Sequence, residues 1–270
     1  MAERFSQESG QFVCDFVSRL PTTDTGKPFQ LYDWQRGALM EFYGTMEEDA
    51  GELLRKYWYL YLEIPKKNGK SELAAALGLY HLFGDGELNA EVYVCAADRE
   101  NAGIVFRAAV FMLETAPWTA KMIARGELKV SKSQKRIEYR RRIRGKNGGY
   151  AWVTVGIMAV LSAEAYSKHG YKPSCVIFDE LHAQPSRDLW DVMTAGAGSG
   201  RKQPVWIVLT TAGDDPDRLS IGWEIHEKAA AIRDARQLRR IRAEGGNSRQ
   251  VLSLRHVEDV DLPAAEEALL

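Results

Sequence analysis

One short segment has the residue types that bind a nucleoside triphosphate. Residues 64–71 read IPKKNGKS, which matches G-x-x-x-x-G-K-[ST] except that Ile64 replaces the first glycine. In such a loop Gly69 lets the backbone approach the phosphates, Lys70 reaches the β- and γ-phosphates, and the Ser71 hydroxyl ligates Mg²⁺. A bare GKS can also be an ordinary helix start. Pro65, Lys67 and Asn68 are further predicted nucleotide contacts. Lys66 is a basic residue that could contact the γ-phosphate.

Two consecutive carboxylates form the second candidate. Asp179 and Glu180 follow the apolar run Cys175–Phe178, so a buried strand would carry them at its C-terminal end, where ligands bind in a parallel sheet. ATP hydrolysis uses one acid to balance the metal and another to accept a proton from the attacking water. We predict that Asp179 holds Mg²⁺ through water. We predict Glu180 as the catalytic base, with Lys70 and Lys66 as catalytic cations. Alone, an acidic strand end is a weak signal.

A third candidate lies at the end of another apolar run. Thr210, Thr211, Ala212 and Gly213 follow VWIVL at 205–209. Hydroxyls at the end of a neighbouring strand can contact both the γ-phosphate region and a moving element, which predicts a role in coupling. The alternative is a plain strand-to-loop turn that uses the glycine.

The elements that must position these residues alternate along the chain. Tyr57–Ile64 is apolar and aromatic, as in a strand buried on both faces, and Ser71–Phe83 is rich in helix formers. The phosphate loop therefore lies between a strand and a helix. This alternation predicts an α/β fold with a mostly parallel central sheet flanked by helices. Further predicted strands are 91–97, 151–161, 175–178 and 205–209; further predicted helices are 7–20, 31–43, 98–117 with Asp98 as N-cap, 187–195 and 218–240.

The stretch from Lys129 to Lys146 is strongly basic, in a chain of net charge −1. It could contact DNA phosphates, or one arginine could act in trans on the ATP of a neighbouring copy. The alternation in this stretch is equally typical of a solvated β-hairpin with a charged face. The basic residues are Lys129, Lys132, Lys135, Arg136, Arg140, Arg141, Arg142, Arg144 and Lys146, and the candidate trans arginine fingers are Arg140, Arg141, Arg142 and Arg144.

The composition excludes several classes of protein. With 45% hydrophobic and 27% charged residues, the chain is typical of a globular protein rather than a disordered one. No apolar run approaches the ~18 residues of a membrane helix, and no signal peptide is evident, so we expect a cytoplasmic protein. Cys14, Cys95 and Cys175 lack paired spacing and are expected to be buried thiols. The histidines lack metal-ligand spacing and are expected to be structural or exposed, although His182 could line the site: His81, His169, His182, His226 and His256.

Four motifs in this order carry a family resemblance. They are YDWQ (32–35), IPKKNGKS (64–71), VIFDELHA (176–183) and LTTAG (209–213). Together they resemble the large subunit of tailed-phage terminases over roughly residues 10–240. The resemblance implies an ASCE-type, RecA-like P-loop NTPase fold in three layers, with ATP and Mg²⁺ as cofactors. The implied function is that of a motor ATPase that translocates double-stranded DNA into a viral procapsid.

The resemblance also assigns roles to residues. It implies that Trp34 and Gln35 form the adenine-contacting segment and that Lys66 is the basic residue of the family's loop. Residues 210–213 match its coupling motif. The missing first glycine is common in this family. One departure is the stretch 140–160, which is longer and more irregular than the short Gly/Ser turn and strand expected there.

Partners and domains follow from the same resemblance. It implies a portal, a small terminase subunit and further copies of the chain in a ring, normally a pentamer, although the isolated chain could be monomeric. The expected location is the bacterial host cytoplasm, transiently at the procapsid. We divide the chain into a helical lead-in (1–55) with the adenine-contacting segment, an ATPase core (56–240), and a tail or start of a linker (241–270). The family's nuclease domain does not fit in the remaining residues despite Asp259 and Asp261, so we expect no nuclease activity.

Two other functions stay open. The chain could be a helicase-like or other nucleic-acid-dependent P-loop ATPase, although it has no room for the second lobe of a helicase. It could also be a terminase fragment that binds nucleotide without hydrolysing it. The intact Glu180 argues against that reading, because a binding module has no need of a catalytic acid.

Overall fold

A computed structural model describes residues 3–144, 148–162, 170–195, 200–213, 215, 217–233 and 252–253. Some predicted features lie outside these residues: Lys146, His169, His256, Asp259, Asp261 and positions 234–240 of the last predicted helix. No helix in the described part of the chain is both long and apolar enough to cross a membrane.

The described residues form seven α-helices and eleven strands. The helices are α1 (Gln7–Ser18), α2 (Asp33–Gly44), α3 (Lys70–Phe83), α4 (Arg99–Thr115), α5 (Pro117–Ala124), α6 (Asp188–Ala195) and α7 (Ile221–Arg233). The strands are β1 (Glu3–Phe5), β2 (Thr45–Asp49), β3 (Glu52–Arg55), β4 (Tyr59–Glu63), β5 (Ala90–Ala96), β6 (Leu128–Ser131), β7 (Arg136–Arg144), β8 (Tyr150–Ser162), β9 (Cys175–Asp179), β10 (Val205–Thr210) and β11 (Leu252–Ser253). A 3₁₀ turn covers Leu181–Ala183.

The central sheet has eight strands in the order β11-β4-β10-β9-β5-β8-β7-β6. The pairs from β11 to β8 are parallel, and only β7 and β6 add antiparallel pairs at one end. The prediction of a mostly parallel sheet is therefore confirmed. The strands that pair parallel are separated in sequence by other elements, as the crossover connections of a parallel sheet require.

Helices cover both faces of this sheet. Leu60 and Leu62 of β4 pack in a large core with α1, α2, α3 and α4, whereas Tyr61 between them packs in a second core with α6 and α7. This alternation along one strand places the sheet between two helical layers. All three cysteines are buried free thiols, as predicted.

The structure confirms the predicted helix over 98–117 that stops near Pro117. Asp98 is the N-cap, and its carboxylate accepts hydrogen bonds from the N–H groups of Glu100 and Asn101, as the sequence indicated. The helix ends at Thr115, and a separate helix, which was not predicted, begins at Pro117. Ala116 has an extended backbone, because a residue before proline is disfavoured in the helical region.

A small second sheet was not predicted. Strands β1, β2 and β3 form it in that order, and β2 and β3 are joined at Ala50 and Gly51, which both have positive φ. The acidic sequence TMEEDAGELLR (45–55) lacks the apolar alternation that signals a strand. Its two-residue turn, with both residues left-handed, instead favours the hairpin.

The basic stretch folds as the hairpin that the alternation indicated, because β6 pairs antiparallel with the start of β7, from Leu128 opposite Tyr139 to Ser131 opposite Arg136. β7 also pairs antiparallel with β8, with a register shift between Tyr139 and Arg140. Among the described residues of the stretch 140–160, the irregularity in the strand pairing lies at this bulge, and Arg140–Arg144 and residues 150–160 are strand. A bulge adds local twist, which turns the outer part of the hairpin relative to the sheet.

Candidate active site

The phosphate-loop segment has the conformation that its sequence requires. β4 ends at Glu63, and α3 begins at Lys70 with Gly69 as its N-cap. Gly69 has φ 71° and ψ 20°, in the left-handed region where glycine is favoured. A Cβ there would find ordinary space, since the nearest atom is Gln35 Nε2 at 3.7 Å. The glycine is therefore needed for its backbone angles, which turn the loop into the helix.

Strand register brings the predicted site residues to one edge. In the parallel pairs, Thr210 lies opposite Glu63 and Leu209 lies opposite Asp179. The C-terminal ends of β4, β10 and β9 are therefore neighbours, and each is followed by one of the three motifs. The Ser71 hydroxyl lies 3.5 Å from Asp179 Oδ2 across 108 residues of sequence.

Lys70 is buried, and its side chain folds back onto the loop that precedes it. Its Nζ donates to the carbonyl oxygens of Ile64 and Pro65, at 3.2 and 3.3 Å. The same Nζ lies 3.4 Å from Glu180 Oε1. The ammonium group thus lies between the loop backbone and the acidic pair, where it can interact with phosphate oxygens or with the carboxylate.

Asp179 is a buried carboxylate with an incomplete set of partners. It is 4% exposed, and within the described residues its Oδ1 accepts no hydrogen bond. Burial, followed by the neighbouring charge of Glu180, raises its pKa to about 7, although Lys70 and the Ser71 hydroxyl act in the opposite direction. A buried oxygen without a donor, beside a serine hydroxyl, fits a hard cation such as Mg²⁺.

Glu180 has a left-handed backbone, with φ 53° and ψ 59°. This conformation is uncommon for a residue with a side chain and is found where surrounding contacts hold it. Here Thr211 donates both its backbone N–H and its hydroxyl to Glu180 Oε2, at 3.0 and 3.1 Å. The side chain is about one-third exposed, so it remains open to solvent at the edge of the site.

His182 joins the acidic segment to the coupling segment. Its Nδ1 lies 2.9 Å from the Thr210 hydroxyl and 3.3 Å from Glu180 Oε2. Because that hydroxyl donates to the Thr211 carbonyl, it accepts from a protonated Nδ1. His182 therefore contacts the site, which the spacing of the histidines in the sequence could not show.

Two glycines allow this close packing. A Cβ on Gly222 of α7 would lie 2.6 Å from the His182 Cα, and one on Gly213 would lie 2.7 Å from its Cβ. Both distances are well inside van der Waals contact. The segment after Asp179 therefore packs closely against residues 210–213 and the start of α7.

Sequence reasoning missed a polar cluster on the other face of β4. Glu63 is 5% exposed, and its Oε2 accepts from the Tyr61 hydroxyl at 2.5 Å and interacts with His226 Nδ1 at 2.7 Å. These residues line a cavity of about 230 Å³ that also reaches His182 and Thr210. The one signal in the sequence was an acid ending the otherwise apolar strand YLYLE.

The predicted adenine-contacting residues are both buried. Trp34 packs in the large core at 8% exposure. Gln35 is fully buried; its Oε1 accepts from the Tyr32 N–H at 3.0 Å, and its Nε2 lies 3.5 Å from the Asn68 carbonyl. Gln35 therefore links the start of α2 to the phosphate loop. Asn68 donates within the loop to the Pro65 carbonyl at 3.3 Å, and the exposed loop residues are Pro65, Lys66 and Lys67.

The candidate finger arginines lie elsewhere. β10, β9, β5 and β8 separate β7 from β4 in the sheet. β7 also runs away from the phosphate-loop edge, because it is antiparallel to β8, which is parallel to β5. Within one chain the structure therefore does not bring Arg140, Arg141, Arg142 or Arg144 to Glu180, and their action in trans stays a prediction.

The three-layer fold, the phosphate loop and the acidic pair together define a P-loop ATPase. A family model described as "Terminase large subunit, ATPase domain" matches residues 33–223. The chain belongs to this family of ATPase domains.

Individual proteins are similar to this chain over different shares of their length. The terminase large subunit of Enterobacteria phage HK97 is 28% identical over 226 residues, which is 78% of this chain and 38% of that protein. The crystal structure of the HK97 large terminase superposes with a TM-score of 0.65 at 23% identity, covering 94% of this chain and 45% of that one. The ATPase domain of the Thermus phage P74-26 large terminase has a TM-score of 0.45 at 21% identity, covering 58% of this chain and 61% of that one. The chain thus spans less than half the length of the HK97 protein.

Proposed function

We propose that this chain hydrolyses ATP with Mg²⁺ and that hydrolysis drives double-stranded DNA into a viral procapsid. The observation that carries the proposal is the meeting of Lys70, Ser71, Asp179 and Glu180 at one sheet edge, with Glu180 bonded to Thr211. Membership in the terminase family supports the choice of DNA as the moved polymer.

The residues divide the chemistry of hydrolysis among them. Ser71 and Asp179 would hold Mg²⁺, which when bound neutralises charge on the phosphates. Lys70 stabilises negative charge on the β- and γ-phosphates, and exposed Lys66 is placed to add a second cation at the loop. Glu180 accepts the proton of the attacking water. The buried Asp179 loses its proton more readily once a cation is beside it, because an opposite charge favours the ionised form.

Coupling would pass through the end of β10. Oε2 of Glu180 accepts two hydrogen bonds from Thr211, so the position of the base depends on the position of residues 210–213. Thr210 is joined to the same group through His182. Movement of this loop, or of α7 packed behind it, would therefore alter the base, and hydrolysis would in turn move the loop.

Two further assignments rest on family membership. The segment around Trp34 and Gln35 would form the adenine side of the site, with Gln35 acting through the loop backbone that it touches. The working assembly would be a ring on a portal in the host cytoplasm, together with a small terminase subunit. An arginine from a neighbouring copy would complete each site.

The test is Mg²⁺-dependent ATP hydrolysis measured over a range of protein concentrations, with and without duplex DNA. Glu180→Gln is the paired control, because it keeps size and hydrogen bonding but cannot accept the proton. We expect turnover in the wild type, stimulation by DNA without strand separation, and loss of turnover in the variant by about 10²- to 10⁴-fold. A specific rate that rises with concentration would support a group supplied by a neighbour. ATP binding without turnover in the wild type would refute the catalytic role.

A further inference from the structure

In the described part of the chain, the outer part of the β7–β8 hairpin is a ribbon of two strands. β8 first pairs with β5 at Gly156, and β6 pairs with β7 as far as Tyr139. The Arg140 N–H donates to the Glu127 carbonyl at 2.7 Å, and beyond it the segment from Arg141 to Arg144 has no described sheet partner except residues 150–153. At about 3.3 Å per residue the ribbon extends roughly 15–20 Å beyond the sheet. A lone two-stranded hairpin is marginally stable in water, so this ribbon depends on contacts between its own side chains.

One face of this ribbon carries arginines interleaved with aromatic rings. The Arg140 guanidinium lies 5.3 Å from the ring centre of Trp152, and that of Arg142 lies 4.6 Å from the ring centre of Tyr150. Arg144 lies opposite Tyr150 in the register and shares this face by strand alternation. We call Arg140, Arg142, Arg144, Tyr150 and Trp152 the arginine ladder.

The members of the ladder have different tasks. Arg140 donates twice to the Gly126 carbonyl, from Nε at 3.0 Å and from a terminal nitrogen at 2.8 Å, so it anchors the base of the ribbon. Arg142 and Arg144 are exposed. Tyr150 and Trp152 are also exposed, at 60% and 40%. The ribbon therefore holds the outer two arginines toward solvent, and stacking on Tyr150 also orients Arg142.

The positive charge of the ribbon favours a polyanion as its binding partner. From Tyr139 to Ser162 the sequence contains no aspartate or glutamate. Alternate residues on one strand face are about 6.6 Å apart, so the ladder is a line of regularly spaced cations. Guanidinium groups match phosphate oxygens with two parallel donors. A phosphate backbone is the partner that fits a line of such groups.

The stacking geometry favours a duplex over a single strand. Single-stranded nucleic acids are bound by stacking of bases on exposed aromatic faces. Here guanidinium groups already cover the rings of Trp152 and Tyr150, and a base would have to displace them. A two-stranded β-ribbon also fits the major groove of B-DNA.

We propose that the arginine ladder is a contact surface for double-stranded DNA, in which Arg142 and Arg144 bind phosphates. Tyr150 holds Arg142 in place, and Arg140, stacked on Trp152, anchors the base of the ribbon. This proposal rests on the proposed function, since it takes the moved DNA as the partner. It places that contact at the opposite edge of the sheet from the phosphate loop.

The experiment measures binding of the full chain to a short DNA duplex, by fluorescence anisotropy, across a series of salt concentrations. The double variant Arg142→Gln/Arg144→Gln should lower the magnitude of the slope of log K against log salt by about 0.9 per lost phosphate contact, hence by about 1.8. Arg142→Lys should keep the slope, because it keeps the charge. Arg141→Gln is the matched control: it removes the same charge from the next position of the same strand, on the reverse face beside Tyr139, and should keep the wild-type slope.

Several outcomes would overturn the ladder as a DNA surface. One is a loss of about 0.9 in the slope for Arg141→Gln, half that of the double variant, since binding would then depend on the number of charges and not on this face. Another is an unchanged slope in the double variant while hydrolysis still responds to DNA. That result would refute the ladder as the DNA contact but would leave the proposed ATPase function intact. A third is an unchanged slope with loss of the concentration dependence of hydrolysis, which assigns these arginines to a neighbour's ATP. A wild-type chain that neither binds duplex DNA nor responds to it would remove both proposals. Unfolding temperature and ATP binding, measured for each variant, establish that the comparison is between folded proteins.

Discussion

Thr211 donates its backbone N–H and its side-chain hydroxyl to the same oxygen of Glu180, at 3.0 and 3.1 Å. The two residues directly follow neighbouring strands, β9 and β10, and are 31 positions apart. Hydrogen bonds to a charged acceptor are among the stronger ones. The proposed base is therefore restrained by the segment that is proposed to move, and the restraint can be weakened without touching the base.

Thr211→Val removes one of the two donors while nearly keeping the shape of the side chain. We expect basal ATP hydrolysis to rise by about two- to tenfold, which corresponds to roughly 0.4–1.4 kcal/mol, since a net hydrogen bond is worth about that much. Stimulation by DNA should shrink, because the loop no longer controls the base as tightly. Steady-state turnover with and without duplex DNA measures both. Thr211→Ser keeps the hydroxyl and should behave as the wild type; a fall in basal turnover in the valine variant would contradict this role.

Asp179→Asn should stabilise the magnesium-free protein in a pH-dependent way. Burial and the charge of Glu180 raise the pKa of Asp179 from 3.8 to about 7, so the folded state binds this proton more tightly than the unfolded state. This contribution is present at low pH and is lost as pH rises between those two values. The unfolding temperature of the variant relative to wild type should therefore increase from about pH 4 to about pH 7 and stay constant above that. Thermal unfolding in a chelator measures it, and a difference independent of pH would show that the carboxyl is not strained by ionisation.

Ser71→Ala should raise the Mg²⁺ concentration needed for hydrolysis. The hydroxyl lies 3.5 Å from Asp179 Oδ2, and its loss removes one of two proposed oxygen ligands. Binding of ATP without metal should change little, because Lys70 and the loop backbone remain. Titration of Mg²⁺ at saturating ATP gives the requirement, and Ser71→Thr, which keeps the hydroxyl, should restore the wild-type value. Equal Mg²⁺ requirements for the alanine variant and wild type would exclude Ser71 as a ligand.

Gly222→Ala, in helix α7, should disturb the site through the backbone of His182. The added Cβ would meet the backbone of His182 at 2.6 Å, so His182 and the acidic segment must shift. Overpacking of this kind costs about 1–3 kcal/mol, and turnover should fall as well. Chemical denaturation and kcat report the two effects.

Gly103→Ala is the matched control for that variant. It is also a helical glycine, but its new Cβ would meet the flexible ends of Lys135 and Arg107, which can move away. Because alanine is favoured over glycine in a helix by roughly 0.5–1 kcal/mol, this variant should be as stable as wild type or more so. If both variants lose stability alike, the close packing on His182 is not the cause.

Much of the layout was predictable because it rests on local patterns. The buried strand before the loop, the helix after it and the acids ending another strand each have a signal within a few residues, and a parallel sheet then brings such strand ends together. The contacts of His182 and the pairing of Glu63 with His226 had no such signal. The latter two residues are 163 positions apart, and only the packing of α7 on the sheet makes them neighbours.

The basic stretch shows the same division. Its alternation was typical of a hairpin, and the structure has one in β6 and β7. The stacking of Arg142 on Tyr150 depends on the register across the turn and on the bulge after Tyr139. Neither can be read from the composition of one strand, since a shift of one residue reverses the faces.

The left-handed backbone of Glu180 has a consequence for how the protein would respond to selection. Glycine or asparagine adopts that conformation with less strain than glutamate, so replacing the proposed base would relax the fold at the same time as it abolished turnover. Asp179 lies beside it with a charge that the folded state disfavours. Selection for heat resistance alone would therefore erode this edge of the sheet first, and thermostable variants that retain activity would have to acquire their gains elsewhere in the chain.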